Sequence, residues 1–423
     1  MASNEVRQRR IERPSDDVKY ELNERKPDEQ ENIPQDTGFL MLFKIGVLVT
    51  FVLPIVFLLI VVIVVPSKVN AVEYSLPNPP VWEGPLKPND LLLQSERIFE
   101  GKIKGPESMV NQNGHIYTGT ADGKVLHIYK GEIQVLATLG QPPCGSFADE
   151  PNCGRPLGMR IDKEGYLVVI DTYLGLFRIN VATGDVFQIF STSMKIGNRD
   201  PVFMNDLDVA SDGMMYITDS SIFQRREFPL DVLEGRNHGR LIQYDPETNS
   251  SRVILENLAF ANGVQLSKKE DFVLVAETTR FRIIKYHLKG PKTGRAEVFI
   301  ENLPVSPDNI RRSSTGGFWV AGAVCRGHHM TFNLFDWIGP KPWLRSLVSR
   351  QLPLWLVHKA LMPCGMILEL NQQGDIVRAF MDPSGEKVAF LSEVEDDSGI
   401  LYLGSFSTPF MSRLNINKLA KRA

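Results

Sequence analysis

Four oxygen-bearing side chains recur at one relative position in four separate segments of this chain: Glu107 in GPES, Asn205 in MNDL, Asn262 in ANGV and Asp308 in PDNI. Each lies seven to nine residues ahead of a β-rich run that follows a glycine or an acidic turn. The same slot in two further segments holds Leu157 (RPLGM) and Ser392, with Glu393 one residue on (LSEVE). Carboxylate and amide oxygens with no thiolate or imidazole among them make a hard-cation set. Two negative charges balance one Ca²⁺, and water or a backbone carbonyl completes about six or seven ligands. A ring contributed by four segments does not impose the tight octahedron that Mg²⁺ demands, so Ca²⁺ is the expected ion. Without it, Glu107 and Asp308 meet as buried like charges, which is costly. Singly, each of these residues reads as a turn former; together, at matching offsets, they read as a metal ring.

A cation held this way polarises a carbonyl and stabilises a developing oxyanion. Asp308 is then the expected catalytic group, as nucleophile or as base toward water. Asn205 and Asn262 position metal and substrate, and Glu107 holds the ion. His115, His127, His238, His328 and His329 show neither triad nor zinc spacing, and no Gly-x-Ser-x-Gly elbow, His-Glu-x-x-His or phosphate loop occurs.

The elements that must carry these residues repeat. GHIYTGT from Gly114, GYLVVID from Gly165, GMMYITD from Gly213, DFVLVAE from Asp271, GFWVAGA from Gly317 and GILYLGS from Gly399 are successive copies. Their spacings are 51, 48, 58, 46 and 82 residues, the last enlarged by an insertion. Six units of about 50 residues, each with room for four short strands, predict an all-β fold, a six-bladed β-propeller over 96–416. The insertion, 326–362, is basic, aromatic-rich and partly helical in pattern; such a segment lies on a membrane surface or folds over the propeller face, and the cover is the preferred expectation because the anchor already supplies membrane attachment.

Ahead of the repeats, Ile45–Val65 runs 21 residues without a charge, about 31 Å as a helix, enough to cross a bilayer. The polar 1–44 segment reads as a disordered cytosolic tail and the proline-rich 66–95 as a stalk; 417–423 is a short terminal tail. An uncleaved signal-anchor with this layout predicts a single-pass type II protein of the endoplasmic reticulum or plasma membrane, its propeller lumenal or extracellular. Asn249-Ser250-Ser251 is then a usable glycosylation sequon, and Cys144 and Cys153 suit a local disulfide. The spacing of Cys325 and Cys364 leaves them free or paired. A net charge of −3 argues against a broad basic surface for nucleic acid.

The stretches GPES, GTADGKV, CGRPLGMR, NDLDV, YITDSS, ANGVQLS, DFVLVAETT, PDNIR, GGFWV and LYLGSF resemble the strictosidine synthase-like family across roughly 95–415. The wider superfamily includes calcium-dependent paraoxonases and gluconolactonases, in which a Glu, two Asn and an Asp hold a central Ca²⁺. The resemblance implies that Glu107, Asn205, Asn262 and Asp308 take those parts, with Asn309 as a fifth candidate, and that the substrate is a small-molecule ester, aryl esters above all. The chain departs from that pattern at Leu157 and near Asp171, where paraoxonases carry histidines, and at Ser392, where strictosidine synthase has its glutamate. The alternative is a non-catalytic binding protein with structural calcium and a protein partner at the propeller face.

Overall fold

The computed structural model describes residues 37–326, 334–351, 353, 356 and 363–419. The chain divides into two compact units, residues 1–60 and 61–423.

The first unit carries an apolar helical segment: α1 (Thr37–Val47), a π-helical turn (Leu48–Val52) and α2 (Leu53–Val64). Its candidate membrane span, Gly38–Ile60, has a mean hydropathy of 2.6. The helix starts eight residues ahead of the expected Ile45, because TGFLMLFK is interrupted only by Lys44. At the π-helical turn the Leu53 N–H bonds the Leu48 carbonyl, one residue beyond α-helical reach, just before Pro54.

The second unit is the expected six-bladed propeller, six antiparallel sheets of four strands. In chain order the blades are β2–β5 (109–138), β6–β9 (156–191), β10–β13 (204–258), β14–β17 (261–300), β18–β21 (305–382) and β22–β24 (391–415). The last is completed from the other end of the chain by β1 (Glu96–Ile98), which pairs with Met411–Arg413 in β24. Repeat spacing does not register this closure, since a strand of three residues precedes the first repeat. Closing the ring leaves no blade without neighbours on both sides, which removes most open sheet edges.

The core lies between blades. Trp319, Ile367, Leu391, Val394, Leu401 and Leu403 fill the space between the fifth and sixth, and equivalent clusters fill the others. Every innermost strand opens at one face of the disc and runs to the other. The connections from second to third strands therefore return to the face at which the innermost strands begin. That face carries α3 (Glu150–Cys153), α4 (Phe228–Glu234), α5 (Leu334–Ile338) and α6 (Pro342–Gln351). It also carries both disulfides, Cys144–Cys153 and Cys325–Cys364, the second closing the base of the insertion.

Residues 67–95 contain only short 3₁₀ turns, as their prolines dictate, yet they are a strap rather than a free stalk. Val69 packs with Leu230 and Leu233 of α4 and with Ile338 and Val348 of α5 and α6. Leu86 enters the core of the fourth and fifth blades, and Leu92 that of the fifth and sixth. Arg345, fully buried, joins the pieces: it donates to the carbonyls of Leu233, Val72 and Gly339 and lies over the Tyr74 ring. Among the described basic residues of the insertion, Arg345 and Arg326 are both fully buried. His328 and His329 lie outside the described residues.

Removing β1 leaves β24 as an unpaired edge. A chain shortened to begin at residue 100 is expected to lose amide-exchange protection first at Ile400–Asn415, with a lower urea midpoint. Uniform loss across all blades would contradict a closure role for β1.

Candidate functional site

In five of the six blades the slot identified in the sequence is a β-bulge, while Glu107 precedes the strand Met109–Gln112, which pairs without one. In β10, Met204 pairs with Asp219 and Leu207 with Ile217, so Asn205 and Asp206 together oppose Thr218. Asn262 and Gly263 oppose Ala276 in the same way, Asp308 and Asn309 oppose Ala321, and Leu157 and Gly158 oppose Ile170. In the sixth blade Ser392 is the extra residue between the pairs Leu391–Ser405 and Glu393–Gly404. A bulge re-aims its side chains out of the pleat, here near the start of each innermost strand. Two bulge positions need glycine because the neighbouring blade's backbone passes too close for a side chain: a Cβ on Gly263 would lie 2.5 Å from the Asp308 carbonyl oxygen, and one on Gly158 2.6 Å from the Asp206 Cα.

Glu107, Asn262, Asp308 and Asn309 interact with one another, and Asn205 is held at the matching bulge of the third blade. Glu107, Asn205, Asn262, Asp308 and Asn309 are all at most 6% exposed. Asp308 accepts a hydrogen bond from Asn262 and feels the Glu107 charge. The Asn309 amide donates to Glu107 Oε1 at 3.2 Å. Asn205 and Asn262 spend their amide N–H groups on hydroxyls one strand away, Ser220 Oγ at 3.0 Å and Thr278 Oγ1 at 3.1 Å. Glu107 Oε2, Asn262 Oδ1 and Asn309 Oδ1 are buried without a hydrogen-bond partner. Orphaned acceptors of this kind cost free energy unless something positive meets them. No group of three or more His, Cys, Asp or Glu side chains suited to a metal occurs among the described residues, so any cation here depends on the amides as much as on the carboxylates.

A second polar layer lies deeper along the axis. Asp206 pairs with Arg311 (Nη1 to Oδ2, 2.8 Å) and accepts the Val264 N–H at 2.9 Å. Arg311 also reaches Glu393 at 2.6 Å, and Glu393 accepts from Ser108 Oγ at 2.8 Å. Arg160 pairs with Asp208 at 3.2 Å, which also accepts from Gln265 Nε2 and the Leu266 N–H. Five polar members follow a pattern: Arg160, Asp208, Gln265, Arg311 and Glu395 each stand three residues beyond the ring slot of their own blade. That offset was readable from the sequence and went unused. Glu393 belongs to this deeper layer, while Ser392, which donates to the Glu107 carbonyl at 2.6 Å, takes the ring slot.

Carboxylates outnumber guanidinium groups here, and their proton affinities respond. Burial raises Glu107 to about 8, against the pull of Arg155, with the nearby Glu393 and Asp206 charges adding to the rise. Burial and then Glu107 itself push Asp308 well above the usual carboxylate range. Burial, with Glu393, raises Glu395 to about 7. These shifts have the sign expected of acidic groups gathered for a cation. Around the ring the walls are apolar on one side, where Leu157, Phe203 and Phe260 are buried together against Phe228 of α4. Leu157 thus serves packing where a histidine would be a base. Asp171 accepts the N–H groups of Tyr173 and Leu174, and burial raises it to about 7. The Asn249 side chain is exposed in the β12–β13 turn, on the face opposite the ring.

The propeller, its axial bulges and its buried oxygen ring define a class, which sequence comparison names. Residues 205–291 match the family model of strictosidine synthase, and 84–128 that of the strictosidine synthase-like N-terminal region. The chain is 44% identical over 379 residues to adipocyte plasma membrane-associated protein of Danio rerio, covering 89% of this chain and 91% of that one. To the Homo sapiens protein of the same name it is 42% identical over 352 residues, 83% and 84% of the two chains. The chain belongs to the adipocyte plasma membrane-associated protein family, within the strictosidine synthase-like propellers. Among solved structures, a gluconolactonase from Xanthomonas campestris superposes with a TM-score of 0.52 at 14% identity, over 83% of this chain and 99% of that one, a likeness of fold.

Arg311 is the countercharge to two buried carboxylates. Arg311→Met is expected to destabilise the propeller by about 3–5 kcal/mol in urea denaturation, because Asp206 and Glu393 lose their partner. The double variant with Asp206→Asn is expected to recover part of that loss; an unchanged midpoint in Arg311→Met would show the layer to be energetically idle.

Proposed function

We propose that this protein is a membrane-anchored, Ca²⁺-dependent hydrolase of small carboxylic esters, aryl esters among them. One observation carries the reading: buried acceptor oxygens of Glu107, Asn262 and Asn309, lacking any hydrogen-bond partner, beside the mutually repelling carboxylates of Glu107 and Asp308. Glu107, Asn205, Asn262 and Asp308 would hold the ion, with Asn309 either a fifth ligand or the group that orients Glu107. Bound there, Ca²⁺ supplies positive charge against which an ester carbonyl polarises.

The residues of the chain do the rest. Asp308, whose environment favours proton uptake, accepts a proton from the water that attacks the ester carbonyl carbon, and returns it to the departing alkoxide. The bond formed is carbon to water oxygen and the bond broken is carbon to alkoxy oxygen, giving acid and alcohol. Leu157, Phe203, Phe260 and Phe228 offer an apolar wall suited to an aryl or alkyl group. Ser220 and Thr278 fix the two asparagine amides, so the carbonyl oxygens keep one orientation.

A second reading has its own support. The paraoxonase-type histidines, one expected at Leu157 and one near Asp171, are absent from this chain, and a propeller with a purely structural cation needs neither. A single set of measurements on the purified full chain separates the two. Ca²⁺ at a hundredfold excess over its Kd is expected to stabilise the propeller by about 2.7 kcal/mol. Glu107→Gln and Asp308→Asn are expected to abolish that stabilisation, and phenyl acetate hydrolysis is expected to vanish with chelator and in Asp308→Asn. Calcium-dependent melting with no hydrolysis by the wild type would leave the binding protein standing; no calcium dependence of either quantity would remove both.

The same ring makes cation binding pH-dependent. Glu107 is raised to about 8, so at neutral pH it gives up a proton when a cation arrives. Calcium affinity is therefore expected to strengthen as pH rises from 6 to above 8 and to level off beyond. Calorimetry in two buffers of different ionisation enthalpy should register the released proton; a pH-independent affinity would contradict it.

A further inference from the structure

The propeller face opposite the oxygen ring carries the turns between first and second strands and between third and fourth strands. In the fourth blade these are residues 267–271 and 288–295. They lie against one another: the Leu288 and Lys289 N–H groups both bond the Asp271 carbonyl, at 2.8 and 3.1 Å. Lys268, Lys269, Lys289, Lys292 and Arg295 are all exposed on these two turns. The neighbouring acids are already engaged. Glu270 accepts the N–H and the hydroxyl of Ser211 in the third blade, at 2.7 and 2.8 Å, and Asp271 accepts the Ser267 hydroxyl. Glu297 pairs with His287 and Lys292. Lys268, Lys269 and Arg295 form no salt bridge among the described residues. In a chain of net charge −3, this corner holds unspent positive charge.

Beside these turns, between the third and fourth blades, lies a cavity of about 280 Å³. That is near the lower end of the range for small-molecule sites, about 300–1,000 Å³. Tyr216, Tyr286, Leu266 and Ile254 supply its apolar lining. The polar lining is held in order: Gln243 donates to the Tyr216 hydroxyl oxygen at 3.3 Å and accepts from Arg252 Nε at 2.7 Å. The two Nη groups of Arg252 are left without a hydrogen bond. Asp212 and Glu270 also line the cavity, so an anionic group seated deep inside it meets like charge, while one at the turns meets cations.

We infer that this cavity binds a sulfated oligosaccharide, one hydroxylated sugar ring within it and the sulfate groups on Arg252, Lys289 and the lysines and arginine of the adjoining turns. Tyrosine faces receive the C–H edges of a pyranose ring. Carboxylate and amide side chains exchange hydrogen bonds with its hydroxyls. Guanidinium and ammonium groups bind the sulfate oxygens, and clustered lysine and arginine are the usual footprint of a sulfated polysaccharide. Both disulfides suit an oxidising compartment, where sulfated saccharides rather than nucleic acids are the polyanions at hand. The site is separate from the oxygen ring and needs neither calcium nor hydrolysis.

Calorimetric titration of the purified full chain with a heparin-derived tetrasaccharide, at low and at raised salt, tests this. The wild type is expected to bind and to lose affinity steeply as salt rises. The same backbone without sulfate is expected to bind severalfold more weakly. Lys289→Glu combined with Arg295→Glu is expected to weaken binding by about tenfold or more at low salt. Tyr286→Ala, which removes no charge, is expected to weaken it severalfold with the salt dependence unchanged. Arg252→Ala, at an exposed position, reads the same cavity should the Tyr286 variant fold poorly, and is likewise expected to cost severalfold. No binding at low salt overturns the proposal. A response to the charge reversal alone, with Arg252→Ala and Tyr286→Ala both binding like wild type, overturns the cavity as the seat. Equal affinity for single-stranded DNA of the same charge overturns the saccharide as the ligand.

Discussion

Too much negative charge is buried along one line for the fold to hold without compensation. Six carboxylates, of Glu107, Asp206, Asp208, Asp308, Glu393 and Glu395, stand on or beside the axis of the propeller, against the two guanidinium groups of Arg160 and Arg311 that pair with them. The deeper layer solves its part internally, with Arg311 bridging Asp206 and Glu393 and Arg160 meeting Asp206 and Asp208. The upper ring has no such internal answer: Arg155 is near enough to pull on Glu107, but its two Nη groups donate to the Gly105 and Phe406 carbonyls. Either protons or a cation must settle there. The geometry that gathers the charge is the repeated bulge, and the bulge in turn is possible because glycine at 158 and 263 lets adjacent blades approach backbone to backbone.

Much of this was legible from the chain alone. Six copies of a β-rich run fix blade number, and a shared offset picks out Glu107, Asn205, Asn262 and Asp308, because a radial fold turns equal register into a common destination. Asn309 emerged differently from its neighbour: its amide donates to Glu107, so it orients a ring member even if its own orphaned carbonyl oxygen also faces a cation. The bulges themselves were not visible. A bulge is a relation between two strands, and only the register of pairing reveals that Asn205 and Asp206 share a single partner.

What sequence reading missed is long-range in the same sense. The strand Glu96–Ile98 carries no repeat signature, because its partner lies more than three hundred residues away, at Met411–Arg413. The proline-rich segment reads as a spacer by composition, yet Val69, Leu86 and Leu92 anchor it in three separate apolar clusters. Composition reports the backbone a segment adopts and is silent on the surface that receives it. The insertion gave the reverse lesson, since it contains a fully buried charged residue, Arg345, whose donors satisfy three carbonyls of three different elements.

The closure by β1 has a consequence for how the molecule is made. Ribosomes deliver Glu96–Ile98 early, but its partner strand arrives only with residue 411, eight residues before the last described helix ends. Five blades must therefore wait as an open arc, their end sheets uncovered, until residues 411–413 have been made. Contacts so distant in sequence are slow to form and leave strand edges exposed to unwanted pairing meanwhile. Pairing of β1 with β24 closes the ring, and a nascent chain halted anywhere short of β24 is an incomplete ring.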